Sequence, residues 1–158
     1  MSNSKSLLLY QDEPAVALLK LIMVGVPALL LVTSLYLWSS GERDGGLALL
    51  FEALFIGLIF WSVFPRRYQV YEDHLRIVLG GPFAVKIRFE QITDIEVTRR
   101  TGLTVNFCTS FKMTYVLIVM KHGFSIAITP TSNDLFADNA NRAISEWART
   151  SRVDSPTE

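Results

Sequence analysis

Two apolar stretches decide how this chain is built: AVALLKLIMVGVPALLLVTSLYLW at residues 15–38 and GLALLFEALFIGLIFWSVF at residues 46–64. The first carries only Lys20, Thr33 and Ser34 as polar interruptions of note, the second only Glu52 and Ser62. Each is close to the roughly 20 residues that a helix needs to cross about 30 Å of hydrocarbon. Backbone inside lipid must satisfy its own hydrogen bonds, so both runs are expected to be helices. The linker Ser39-Ser-Gly-Glu-Arg-Asp-Gly45 is short and polar, which predicts a tight reversal between antiparallel spans. Tyr36 and Trp38 close the first run and Trp61 lies near the end of the second, where a bilayer interface favours aromatic rings. A cleaved leader would have an apolar core of about 7–15 residues followed by small residues. The first run is longer and ends in Tyr36-Leu-Trp38, so it is expected to remain as a span.

Basic residues flanking the spans predict orientation. Pro65-Arg66-Arg67 follows the second span directly, and Lys5 and Lys20 lie at the start of the first. The linker offers only Arg43, set between Glu42 and Asp44. Both termini of this multi-pass chain are therefore expected in the cytoplasm, with the loop outside. Two ionisable residues fall inside the spans. Lys20 is about 7 Å deep at 1.5 Å per residue, within reach of the headgroups for a long side chain. Glu52, about 9 Å from the opposite face, is too short to do the same. It is expected either to face a serine or threonine of the neighbouring helix or to meet another protein. Pro27 is expected to bend the first span.

Half of the chain is hydrophobic and the mean hydropathy is +0.32, with the apolar residues concentrated in the first forty per cent or so. The 15 basic and 15 acidic residues balance, which argues against nucleic acid as a partner. A single cysteine, Cys108, excludes an intramolecular disulfide and a cysteine-rich metal site.

From Tyr68 the pattern changes. Leu75, Ile77 and Leu79 alternate with His74, Arg76 and Val78; after Gly80-Gly81-Pro82, Phe83, Val85, Ile87 and Phe89 alternate with Ala84, Lys86 and Arg88. Period two around a glycine-rich break predicts a β-hairpin with one buried face. Ile95 and Val97 mark another strand, Tyr115–Met120 a central strand apolar on both faces, and Phe124–Ile128 a last one. Residues 100–112 show no period and are expected to be a loop. Thr131 with Asp134 resembles a capping box, and Phe136, Ala140, Ala143, Ile144 and Trp147 form the apolar stripe of a C-terminal helix. The polar tail 151–158 is expected to be disordered. The expected organisation is thus a cytoplasmic segment 1–14, a transmembrane hairpin 15–64 with spans 15–38 and 46–64, a β-rich domain 65–150 and the tail.

Three segments resemble the bacterial pleckstrin-homology-like domain family. Tyr68-Gln-Val-Tyr-Glu-Asp-His-Leu-Arg-Ile77 is similar to its Tyr-x-(Ile/Val)-x-x-(Asp/Glu)-x-Leu opening. Ile87-Arg-Phe-Glu-Gln-Ile-Thr-Asp-Ile-Glu96 is similar to its strand and acidic turn, and Ile126-Ala-Ile-Thr-Pro130 with Asp134 and Phe136 to its exit into the helix. Two preceding spans are frequent in that family. The resemblance covers Tyr68 to about Trp147 and implies an α+β membrane protein: a two-helix hairpin, then a split or partly open antiparallel β-barrel capped by one helix. It brings no catalytic residue set with it.

The residues add none. His74 is expected on the outward side of its strand and His122 in a turn, neither with a partner at metal-ligand spacing, and no phosphate-cradling loop or nucleophile elbow is present. Cys108 has Lys112 four residues away, but an ordinary loop thiol is the expected reading. No cofactor is expected, and the chain is not expected to be an enzyme. What remains is a basic face. The Gly80–Pro82 turn sets Arg76 opposite Lys86 and His74 opposite Arg88, and like charges so placed are unfavourable unless an anion meets them. A reversal near Glu90–Thr93 would instead place Asp94 beside Arg88 and Glu96 beside Lys86, neutralising the face. Arg66 and Arg67, with Arg99, Arg100 and Lys112, form a second basic group, the first two at the membrane surface. The expected function is a protein-interaction or self-assembly module at the cytoplasmic face, with strand edges and the 100–112 loop as contact surfaces. The alternatives are an anionic-lipid-binding module using Arg76, Lys86 and Arg88, and an accessory subunit of a transporter or membrane enzyme held through Glu52. The expected partners are membrane lipids and either another protein or copies of this chain.

Overall fold

The computed structural model describes residues 6–15, 17–99, 104–107 and 114–153. Their contacts divide into two compact units, residues 16–64 and the rest.

In the first unit, α1 (Ala17–Ser40) and α2 (Arg43–Val63) form an antiparallel hairpin. The helices meet through small side chains. Gly46 and Ala53 of α2 are buried, as is Ser34 of α1, whose hydroxyl donates to the Gly46 carbonyl across the interface at 2.6 Å. Close backbone approach and such hydrogen bonds are what would hold two helices together in lipid, where no hydrophobic driving force acts between them. Pro27 lies inside α1, where a Cβ added at Gly57 of α2 would meet its ring at ordinary contact distance. The turn is tighter than the 39–45 linker suggested. Gly41 takes φ 94°, the Glu42 N–H donates to the Leu37 carbonyl at 3.0 Å, and the Gly41 N–H to Trp38 at 3.4 Å, closing α1 with a Schellman motif. Outward-facing Leu21, Leu35, Phe51 and Phe55 are more than 60% exposed. Only 6% and 11% of the two apolar windows is buried, which sets these helices apart from the core of a soluble domain. Both are long and apolar enough to cross a membrane.

Among the described residues, the second unit holds two four-stranded sheets and one α-helix. β1 (Leu8–Asp12), β2 (Arg67–Tyr71), β3 (His74–Val78) and β4 (Ala84–Arg88) pair in that order, all antiparallel. A 3-10 turn at Phe89–Gln91 then carries the chain into the second sheet, where β5 (Ile92–Thr98), β7 (Tyr115–Met120), β8 (Ser125–Ile128) and β6 (Thr104–Phe107) are neighbours in that order. Among the described residues the sheets do not join into a closed barrel, in keeping with the split form. Inward Tyr68, Val70, Leu75, Ile77 and Ile87 of the first sheet share one core with Ile95, Val116, Ile118 and Ile128 of the second. The apolar stripe of α3 (Asn133–Val153) covers it, with Phe136, Ala140 and Ala143 buried.

Several elements differ from the sequence reading. The N-terminal segment supplies an edge strand, β1, whose Tyr10 meets the Phe136 ring edge-on at 6.2 Å while Tyr68 meets the same ring from β2 at 6.2 Å. Residues 12–15 also brace the start of α3. The Ala15 N–H donates to Thr129 and the Thr131 N–H to Glu13, and Pro14 bridges to Pro130. The expected Thr131–Asp134 capping box gives way to this contact. The Thr131 hydroxyl donates to the Glu13 carbonyl at 2.9 Å, and the Asp12 carboxylate accepts from the Ser132 N–H at 3.2 Å. A carboxylate there also suits the positive end of the helix dipole. Within the expected 100–112 loop, residues 104–107 are β6, parallel to β8; Arg100, Cys108 and Lys112 lie outside the described residues. The helix α3 runs on to Val153, three residues into the segment expected to be disordered, whose remainder is outside the described residues.

Two stability outcomes are expected. Tyr10→Ala should destabilise the β domain by about 2 kcal/mol, since half-buried aromatic area and the brace on Phe136 are lost, measured by denaturant unfolding of the full chain in detergent. Gly46→Val should loosen the hairpin, because a Cβ there sits 3.0 Å from the Ser34 carbonyl oxygen and 3.2 Å from the Trp38 nitrogen. Overpacking of this kind costs about 1–3 kcal/mol, and a lower midpoint in detergent-driven unfolding of the helices would report it.

Candidate functional site

Alternation along β2, β3 and β4 turns one set of side chains into the core and the other outward. The outward set forms rows across the first sheet. Gln11, Gln69, Arg76 and Lys86 are successive cross-strand partners, and His74 faces Arg88 in the next row. The pairings of Arg76 with Lys86 and of His74 with Arg88 follow the register that the Gly80–Pro82 turn imposes, with Gly81 at φ 65° and the Leu79 N–H donating to the Phe83 carbonyl at 3.0 Å.

The charges around this face differ from expectation. β5 belongs to the other sheet, where Asp94 is opposite Val119 and Glu96 opposite Leu117, so neither acid lies beside β4. The 3-10 turn between β4 and β5, anchored by buried Phe89, replaces the expected reversal. The acid that does reach the face is Asp73, in the β2–β3 turn, 3.8 Å from the Lys86 ammonium and hydrogen-bonded to His74 Nδ1. Burial works to raise the Asp73 pKa. The hydrogen bond and charge of His74, with the Lys86 ammonium behind them, outweigh it and hold the carboxyl below its ordinary value. Among the described residues no carboxylate pairs with Arg76 or Arg88, both exposed.

His74, expected to face outward, is on the outer side of its strand but only 5% exposed. The Tyr71 ring stacks on it at 4.6 Å, nearly parallel. Tyr71 donates in turn to the Gln69 amide oxygen at 3.3 Å, and Gln69 donates to Gln11 at 2.9 Å. The face is therefore a braced polar layer with Arg76, Lys86 and Arg88 standing out from it. Arg66 and Arg67 are exposed at the end of the sheet where β2 begins.

Glu52 lies exposed on α2. The hydroxyls of the spans are occupied elsewhere: Thr33 donates to Leu29, Ser34 to Gly46 and Ser62 to Leu58. One feature had no signal in the sequence, because its walls come from three segments. A cleft of about 370 Å³ is lined by Leu9 of β1, Glu72 and Asp73 of the β2–β3 turn, and Glu146, Trp147 and Thr150 of α3. Its carboxylates are partly engaged, Glu72 by the Leu7 N–H and Asp73 by His74. Among the described residues, no group of histidine, cysteine and carboxylate side chains could hold a metal ion.

Residues 66–139 match the family model described as bacterial PH domain. The β-rich unit is PH-like, the match covering just under half of the chain. No curated protein and no solved structure matches the chain significantly. The PH domain's defining segments prove to be packing segments: Tyr68, Val70, Leu75, Ile77, Ile87, Phe89, Ile126, Ile128 and Phe136 are all buried. Its first strand, β1, and the last turns of α3 lie beyond the matched residues.

The PH domain should show a pH dependence with a definite sign. Because the folded pKa of Asp73 is below the unfolded value of about 3.9, its contribution is complete above that value and is lost as pH falls through the folded one. Asp73→Asn should therefore be less stable than the parent at pH 6, and the gap should close as the solution is acidified below pH ~4. Chemical denaturation across that range checks it.

Proposed function

We propose that this chain is a non-enzymatic, membrane-anchored PH domain protein that captures an acidic protein partner at the cytoplasmic face of the bacterial inner membrane. Several features support the anchoring. The hairpin is apolar on its outside, and β1 and β2, which flank it in sequence, are hydrogen-bonded neighbours. Segments before and after the hairpin that share one sheet must share one side of the membrane. The Arg66-Arg67 pair favours the cytoplasmic side over the Gly41–Glu42 turn, where Arg43 stands alone.

The observation that carries the partner reading is the only partly neutralised pairing of Arg76 with Lys86 on an exposed sheet face, next to Arg88. Like charges held opposite each other destabilise a sheet, and Asp73 compensates only Lys86, through a surface contact worth at most about 1 kcal/mol. An anionic partner removes the conflict. β4 is also an edge strand. The Leu79–Phe83 hydrogen bond turns the odd-numbered residues of β4 toward β3, so the backbone groups of Ala84 and Lys86 point away from the sheet. An extended acidic segment added there would place alternate side chains beside Lys86 and Arg88. A second copy of β4 added about a twofold axis at Lys86 would oppose lysine to lysine, so a different protein fits this edge better than self-assembly.

A second reading, an accessory subunit of a larger membrane complex, is favoured by Glu52 alone: an exposed carboxyl on an apolar helix surface calls for a polar partner within the membrane.

The test is isolation of the full-length protein in mild detergent with identification of bound proteins and lipids, repeated for Arg76→Glu/Arg88→Glu and Glu52→Ala. A stoichiometric partner that binds through an acidic segment, weakens with salt and is lost about tenfold or more on charge reversal, at unchanged melting, supports the proposal. Enrichment of one anionic lipid without a protein overturns it in favour of lipid binding. Loss of the partner on Glu52→Ala, with charge reversal silent, moves the contact into the membrane.

A further inference from the structure

We infer that the β3–β4 turn of the PH domain is a lipid-facing wedge, with Phe83 lodged at the headgroup boundary and the Arg66-Arg67 pair at the lipid phosphates. The inference rests on the reading of α1 and α2 as membrane spans.

Phe83 is 54% exposed although it has the same parity along the chain as Val85 and Ile87, which turn inward. The turn that presents it is stiff: Gly81 adopts the left-handed conformation, Pro82 has a fixed φ, and the Leu79–Phe83 hydrogen bond closes the loop. Its position is set by β2. The Arg66 N–H donates to the Val78 carbonyl at 2.7 Å and Arg67 is the cross-strand partner of Val78, so the turn leaves the sheet at the end where the chain arrives from α2. Only Phe64 and Pro65 separate Val63, the last residue of α2, from Arg66. Three peptide steps span at most about 10 Å, and the headgroup layer is itself roughly 5–8 Å deep on each side. The end of the sheet that bears Phe83 is thus tethered to the end of α2 by at most about 10 Å of chain, little more than the depth of a headgroup layer.

The occupant is argued from this tether and from charge. An apolar ring at the same sheet end as exposed arginines is the chemistry of an anionic lipid surface, into which a ring inserts while the cations stay at the phosphates. The molecule provides its own control. Phe124, in the β7–β8 turn, is 63% exposed, yet the preceding Lys121 N–H donates to Gln91, just past the far end of β4. β4 is five residues long, so the two ends lie about 17 Å apart along the strand. Exposure alone would treat both rings alike, whereas the tether singles out Phe83.

The test uses the full chain in a Cys108→Ser background, with Phe83→Cys or Phe124→Cys labelled by a nitrobenzoxadiazole probe. The protein is reconstituted into vesicles of phosphatidylethanolamine and phosphatidylglycerol. The expected result is severalfold stronger quenching of the Phe83 label by spin-labelled lipid than of the Phe124 label, with the reverse order for aqueous iodide. Pro82→Cys, one position earlier in the same turn, should behave like Phe83→Cys and guards against a local folding defect. A Phe83 label open to iodide in floated vesicles overturns the inference while leaving the anchoring intact. A label shielded from both quenchers overturns it in favour of a protein contact. Failure of the unlabelled protein to float with the vesicles overturns the anchoring reading and the inference together.

Discussion

Everything in this molecule depends on the pairing of β1 with β2. Asp12 and Tyr68 are cross-strand partners, and the entire helical hairpin is inserted between them. Closing a flexible loop of that length would cost about 3–4 kcal/mol in chain entropy. The hairpin removes much of that cost by its own geometry, since an antiparallel pair of helices returns the chain to where it started. Packing at Ser34, Gly46 and Ala53, which joins the two helices, thereby serves the sheet as well. The dependence runs the other way too. Tyr10 and Tyr68 hold Phe136 between them, and residues 12–15 cap the start of α3. The N-terminal segment therefore closes the core that the rest of the β domain leaves open.

That pairing was also the part least legible in the sequence. Long apolar runs announce helices in lipid whatever lies around them, and the alternation of Leu75, Ile77, Val85 and Ile87 announces β3 and β4. The stripe of α3 is equally plain. Leu7-Leu-Leu-Tyr10 has no alternation, because a register irregularity between Leu8 and Tyr10 interrupts it, and its partner strand lies beyond the spans. β6 is four residues long and its parallel pairing to β8 leaves no mark on local composition. The passage from β4 to β5 did leave one. The buried residues run Ile87, Phe89, Ile92, Ile95, a spacing that shifts from two to three where the chain rounds a 3-10 corner and β5 begins with an irregular pair. Read as a simple meander, that shift is lost, and with it the change of sheet.

The same shift decides the electrostatics of the candidate site. The cross-strand placement of Arg76 and Lys86 is local, set by one turn, and was legible. Its neutralisation by Asp94 and Glu96 required β5 to stay in the first sheet, which the corner prevents. Asp73 was closer in sequence to the basic face, yet its role depends on a turn conformation and on the stacked Tyr71–His74 pair, neither of which has a sequence period. Local order was readable; the choice of sheet, which assigns each charge its neighbours, was not.

The family match and the basic face are independent in a way that bears on function. The matched segments are buried, so any chain that packs this fold must retain something like them. Arg76 and Arg88 are exposed and contribute nothing to that packing. A sheet would be more stable with one of each opposed basic pair replaced by a neutral or acidic residue. On the proposed reading the anchor makes such a weak surface useful. A partner held in the same membrane meets the face at an effective concentration that can reach the millimolar range, so a few exposed charges on a stiff sheet suffice where a free protein would need a large apolar interface.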